Sequence, residues 1–212
     1  MNFDPETTGL VLVDMQNDFL HPDGAYGRAG QKSVAITALT PRLARVAEMM
    51  RNKGGWIIST HFTLVPGKDD VPFISEHLRT LRPFLGKGDF VPGGWGHDLV
   101  DALQPADLKV EKVAFSAFYQ SRMEWMLKRA GIETLIFGGI VTNGGVASTV
   151  RDAHVRDFHS IVLGDGCAAF SEEAHLATIG SLSTIATIAS CDDIVDRLGC
   201  LVDQPDPAPS FI

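Results

Sequence analysis

Three short stretches hold residues whose types and placement could do chemistry. Asp14 follows four consecutive apolar residues in "LVLVDMQNDFL". A carboxylate there is partly withdrawn from water, so its proton affinity rises unless a cation holds it ionised. Lys112 stands near the end of "DLKVEKV", where a lysine can turn inward and meet such an acid. The third stretch, "GGIVTNGGVASTVRDA" at 138–153, is a buried strand running straight into a helix. An α/β enzyme usually mounts its reactive group at such a corner, but here the helix entrance offers Gly144 and Gly145 and no Ser, Cys or Thr. Each stretch also has a plain structural reading. Asp14 can cap the loop "MQNDF" through backbone amides. Lys112 can simply reach solvent, and the glycines can allow a tight turn with Asn143 as the helix N-cap.

The surrounding elements decide between these readings, because they must bring three distant stretches together. Apolar runs alternate with helical periodicity, the mark of repeated βα units and a mostly parallel sheet. Strands are expected at 9–15, 56–62, 107–113, 134–141, 160–165 and near 187–190. Helices are expected from Ser33 to Lys53, from Gln120 to Ala130, from Gly144 to about Asp157, and from Glu172 to about Ser183. Thr63 to Pro92 is dense in Pro, Gly and charge and reads as a long excursion with one short helix. The expected fold is α/β: a three-layer α/β/α, Rossmann-like, doubly wound arrangement around a six-stranded sheet. In such sheets ligands bind at the carboxyl ends of the strands, where Asp14, Lys112 and the Thr142 to Gly145 corner all fall.

The chain has 212 residues, 45% of them hydrophobic, enough for one large domain with a full core. A Pro-rich tail at about 200–212 is expected to be extended. A formal charge of −8 argues against general affinity for nucleic acid or an anionic membrane surface. No apolar run approaches the roughly 20 residues of a membrane span. The N-terminal residues lack the basic and apolar regions of a signal peptide, and the three cysteines form no even framework, so a cytoplasmic protein is expected.

Cys167 sits among apolar neighbours and reads as a buried structural thiol. Gln16 and Asn17 could position a water or a substrate oxygen, and Phe19, Phe115, Phe118 and Tyr119, near Asp14 or Lys112, could wall a pocket. Neither a GxGxxG after the first strand nor a GxxxxGK[ST] is present, so no nucleotide cofactor is expected.

Taken in order, "LVLVDMQNDFL", "KVAFSAF" and "GGIVTNGGVASTVRDA" resemble the isochorismatase-like hydrolase superfamily, which includes nicotinamidases, carbamoylsarcosine amidohydrolases and vinyl-ether hydrolases. The resemblance covers residue 9 to about 190. Together with the apolar content, it favours a homodimer or homotetramer. It implies Asp14 as catalytic acid/base, Lys112 as its cationic partner, and a non-proline cis peptide at Val141 to Thr142. In the amidase branch the corner supplies a nucleophilic Cys, and Gly145 matches that position. The vinyl-ether branch also has Gly there; its acid protonates a methylene carbon and water attacks the resulting oxocarbenium ion. Vinyl-ether cleavage of a small, anionic substrate therefore leads. The alternatives are an amidohydrolase-type C–N hydrolase without a covalent Cys intermediate, and a catalytically silent binder. Val141, Thr142, Asn143 and Gly144 are expected to touch substrate, with amides at the helix start meeting an anion. Nicotinamidases hold a metal through a "DxH" arrangement; Phe62 and Leu64 stand in those places here, so no catalytic metal is expected.

Overall fold

The computed structural model describes residues 3–31 and 33–201; the tail expected to be extended lies outside them from residue 202. Along the chain run β1 (Thr8–Val13), α1 (Asn17–Leu20), α2 (Ala25–Arg28), α3 (Val34–Thr37), α4 (Leu39–Asn52), β2 (Trp56–Phe62) and α5 (Glu76–Leu81). They are followed by β3 (Leu108–Lys112), α6 (Met123–Arg129), β4 (Thr134–Ile140), α7 (Ala147–His154), β5 (His159–Ala168), α8 (Glu172–Leu182), β6 (Thr187–Ala189) and α9 (Cys191–Gly199). The six strands form one sheet in the order β3-β2-β1-β4-β5-β6, every neighbouring pair parallel. The Rossmann-like α/β expectation holds, and the sheet is wholly parallel.

Strand alternation sorts the core into two layers. Leu10 and Leu12 of β1 face Leu43, Val46 and Met50 of α4 and Ile194 and Leu198 of α9. Val11 and Val13 face the other way, toward Met123 and Leu127 of α6 and Val146 and Val150 near α7. Gly139 explains part of the glycine pair in β4. Its φ is +125°, and a Cβ there would collide with the Val13 carbonyl, so only glycine lets β4 approach β1 this closely.

Several boundaries differ from the sequence reading. The helix expected over Ser33 to Lys53 is divided at Ala38 into α3 and α4. α6 is shorter than expected because Gln120, at φ 49°, keeps the chain in a turn. α9 was not expected; Ser190 starts it with a capping box closed by Asp193. The non-proline cis bond lies at Ile140–Val141, one residue earlier than expected, at the first link after β4 ends.

The excursion after β2 is tied down by buried polar groups. The Asp18 carboxylate accepts from the Ala25 amide at 2.9 Å and the Phe90 amide at 2.6 Å. His61 Nδ1 lies 2.7 Å from the His97 carbonyl, which can only accept, so His61 carries its proton on Nδ1 and accepts from the Ser59 hydroxyl at Nε2. His97 Nε2 pairs with the Thr63 hydroxyl at 2.8 Å. Burial lowers the pKa of both imidazoles, that of His97 to about 4, with His61 beside it adding to the effect.

A pH dependence of stability follows. An imidazole whose folded pKa is depressed favours the neutral form, so stability is full above the ordinary value near 6.5 and is lost as pH falls toward about 4. The urea midpoint should drop between pH 7 and pH 5, and His97→Gln should flatten that drop. A midpoint with the same pH slope in both proteins would exclude His97 as its source.

Candidate active site

β1 is the strand from which the sheet grows in both directions, with β2 on one side and β4 on the other. The carboxyl ends of these strands form the crevice where parallel α/β sheets bind ligands. Asp14 leaves β1 with φ 54°, a left-handed turn that aspartate tolerates better than most residues. Lys112 is the last residue of β3 and shares a face with Val110, two residues back, whose side chain belongs to the α6 layer. The two side chains meet across the end of β2: Lys112 Nζ lies 2.7 Å from Asp14 Oδ2, and their side chains are only 1% and 7% exposed.

The pair has few other partners. The Thr60 hydroxyl donates to Asp14 Oδ1 at 2.7 Å, and Lys112 donates to the Ala114 carbonyl at 3.1 Å. Lys112 also lies 5.6 Å from the centre of the Phe62 ring, a cation–π contact. Burial raises the pKa of Asp14; Lys112 and Thr60 pull it back without cancelling that effect. The alternative in which Asp14 caps its own loop is not what the structure holds: its carboxylate is engaged by Thr60 and Lys112.

Asp14 and Lys112 open onto a cavity of about 350 Å³. Of the residues singled out from the sequence, Phe19, Phe115, Val141, Asn143, Gly144 and Gly145 also line it. At Gly145, an added Cβ would lie 3.1 Å from Asp14 Oδ2, so this position borders directly on the carboxylate. No cysteine is among the residues lining the cavity. Cys167 is buried against the Phe137 carbonyl, and burial pushes its thiol far above the ordinary value. Burial pushes Cys191 up to about 12.

Five residues that the sequence offered for the site do not line the cavity. Gln16 is fully buried; its side-chain amide donates to the Phe62 and His97 carbonyls, both at 3.0 Å, and accepts from the Phe62 amide. It therefore pins the excursion to β2. Phe118 is buried against Phe158, with the Arg156 guanidinium 4.9 Å from its ring. Thr142 is also buried, its hydroxyl paired with His175 Nδ1 at 2.9 Å. The corner itself is one wide π-helical turn, Thr142–Val146, and Asn143 makes no capping hydrogen bond there. Asn17 is equally structural, donating to the Trp95 carbonyl at 2.9 Å, while Tyr119 is exposed and does not line the cavity.

Other wall residues were not foreseen. Tyr26 comes from α2, Leu78, Leu81, Arg82 and Leu85 from the excursion, and Phe170, Ser171 and Ala174 from the start of α8. The sequence marked Thr63 to Pro92 as a long excursion, but nothing in its pattern singled out Arg82. Among the described residues no group of three or more His, Cys, Asp or Glu side chains could hold a metal ion, and no helix is long and apolar enough to cross a membrane.

Comparison with known proteins places this arrangement. The isochorismatase domain model matches residues 8–193. The ureidoacrylate amidohydrolase RutB of Methylobacterium radiotolerans is 34% identical over 194 residues, covering 85% of this chain and 75% of that protein. RutB of Acinetobacter baylyi is 32% identical over 194 residues, covering 85% and 78%. Among solved structures, an isochorismatase-like hydrolase from Alkaliphilus metalliredigens superposes with a TM-score of 0.74 at 26% identity, covering 90% of this chain and 98% of that one. A cysteine hydrolase from Pseudomonas syringae shares the fold with a TM-score of 0.79 at 19% identity, over 94% and 95%. With its parallel sheet, its paired strand-end charges and a family match spanning all six of its strands, the chain belongs to the isochorismatase family of hydrolases.

Proposed function

We propose that the protein hydrolyses a C–N bond in a small amide or ureide, with water in place of a cysteine as the attacking group. The observation that carries this reading is the buried 2.7 Å pair of Asp14 and Lys112 facing a cavity whose neighbouring corner, Gly145, has no side chain. The amidohydrolase names of the similar proteins support the choice of bond.

In this mechanism Asp14, ionised, takes a proton from water as the oxygen bonds to the carbonyl carbon. The C–N bond then breaks, and the proton on Asp14 passes to the departing nitrogen. Lys112 keeps Asp14 oriented, and its charge favours the ionised state between steps. The apolar walls exclude bulk solvent, which strengthens both interactions.

A second reading, vinyl-ether hydrolysis, is favoured by Gly145, since that chemistry needs no nucleophilic side chain. There Asp14 starts protonated and delivers its proton to a methylene carbon; water adds to the resulting cationic carbon and gives its proton back to Asp14, and the hemiketal so formed breaks its ether C–O bond to release a ketone and an alcohol. The two readings use opposite protonation states of one acid, which separates them. With a base, kcat/KM is full above the pKa of Asp14, which lies above the ordinary aspartate range, and is lost as pH falls through it. With an acid, activity is lost as pH rises through the same value. A pH profile on whichever substrate is turned over, read beside ammonia release from amides and ureides and pyruvate release from enolpyruvyl ethers, decides between them.

Asp14→Asn should lower kcat/KM by roughly 10²–10⁴-fold while near-UV circular dichroism remains that of a folded protein. Activity retained in folded Asp14→Asn removes this residue from the mechanism. Gly145→Cys places a thiol beside the carboxylate, with neighbours giving way by a few tenths of an ångström. Iodoacetamide should label Gly145→Cys rapidly and leave the wild-type chain unlabelled at Cys167, as peptide mass spectrometry would show. Labelling of Cys167 in the folded wild-type protein would contradict its buried, protonated state.

A further inference from the structure

An anionic substrate needs a cationic partner, and the strand-end site has little to spare. Two cations line the cavity, Lys112 and Arg82. Lys112 is committed to Asp14 at 2.7 Å and to the Ala114 carbonyl at 3.1 Å. The Gly144 amide at the helix start, expected to face an anion, instead donates to the Val141 carbonyl at 2.9 Å.

Arg82 is differently placed. It follows α5 in the excursion and is half-buried. Its Nε donates to the Tyr26 hydroxyl at 3.1 Å and its Nη1 to the Leu81 carbonyl at 2.8 Å. Its guanidinium carbon lies 5.8 Å from the Tyr26 ring centre and 5.4 Å from that of Phe170, and these two rings stack on each other. All of these partners are uncharged. Arg28, Arg45 and Arg156 pair with carboxylates, but among the described residues no carboxylate pairs with Arg82. A planar guanidinium held rigid on a largely aromatic wall, with its charge unneutralised in a chain of net charge −8, is suited to receive a carboxylate from outside. One unpaired cation matches one negative charge. The walls of Phe19, Phe62, Phe115, Leu78 and Leu85 suit an apolar or unsaturated body behind it.

We infer that Arg82 is a specificity-determining residue that grips the carboxylate of a small monocarboxylate substrate, with Tyr26 and Phe170 fixing its orientation. The inference rests on the proposed hydrolysis for the bond that is broken, but the grip itself can be read without turnover. Calorimetric titration with crotonate and with its neutral counterpart crotonamide tests it on the wild-type chain, Arg82→Met and Arg82→Lys, each checked as folded by circular dichroism. The wild-type chain should bind crotonate roughly 10- to 100-fold more tightly than crotonamide. Arg82→Met should lose that preference without changing crotonamide binding, and Arg82→Lys should keep part of it.

The inference is overturned if crotonate does not bind the wild-type chain, if the wild-type chain does not prefer it, or if Arg82→Met weakens both ligands in parallel, as a merely structural role would. If no amide, ureide or enol ether is turned over while crotonate binding depends on Arg82, the grip stands and the hydrolysis reading falls. Turnover of neutral amides with no preference for carboxylates has the opposite meaning.

Discussion

A carboxylate and an ammonium buried together dominate the energetics of this end of the sheet. Withdrawing each from water costs several kcal/mol, and only a close, well-oriented contact offsets it. Asp14 and Lys112 meet that condition because parallel strands deliver both side chains to the same edge, with the Thr60 hydroxyl and the Ala114 carbonyl taking up remaining hydrogen bonds. Leaving either charge alone costs about 3–5 kcal/mol, so the pair constrains how β1, β2 and β3 end. The same desolvation raises the proton affinity of Asp14, the property that the proposed mechanism uses.

The surrounding structure reads as support for that pair. Gly139 lets β4 close on β1, which brings the corner at Gly145 against the Asp14 carboxylate. Asp18, Gln16, His61 and His97 then fasten the excursion to the strand ends through buried hydrogen bonds. A long segment with little regular structure thereby acquires a defined path, and its side chains can form a cavity wall with a fixed shape.

The parts of this arrangement legible in the sequence were those governed by short-range rules. An acid after four apolar residues and a lysine at the end of an alternating strand place themselves at sheet ends, because strand period and the parallel fold leave few other positions. Gln16, Phe118 and Thr142 were misplaced because proximity in sequence does not say which way a side chain leaves a loop or a turn. All three lie within three residues of one that lines the cavity, yet their polar atoms or rings were claimed by neighbouring backbone, Arg156 or His175. α9 escaped notice because its nine residues follow a three-residue strand at the trailing edge, where the capping box at Ser190 and Asp193 was the one clear signal. Tyr26, Arg82 and Phe170 come from three separate segments, so their assembly is a property of the folded chain alone.

This division has a consequence for how such a site can diversify. Asp14, Lys112 and the corner at Gly145 are held by the sheet, where any change disturbs buried charge or a close backbone contact. Arg82 and its aromatic neighbours are held by loops and helix starts, where a side chain can change without disturbing a strand. On the proposed reading, proton transfer and substrate selection fall to different elements, the strand ends and the excursion with its neighbouring helix starts. A cation that both held Asp14 and gripped a substrate carboxylate would weaken one contact whenever it strengthened the other, since two anions would share one charge. In the inferred arrangement the second positive group sits on the excursion, so a substrate anion held at Arg82 would not compete with Asp14 for the Lys112 ammonium.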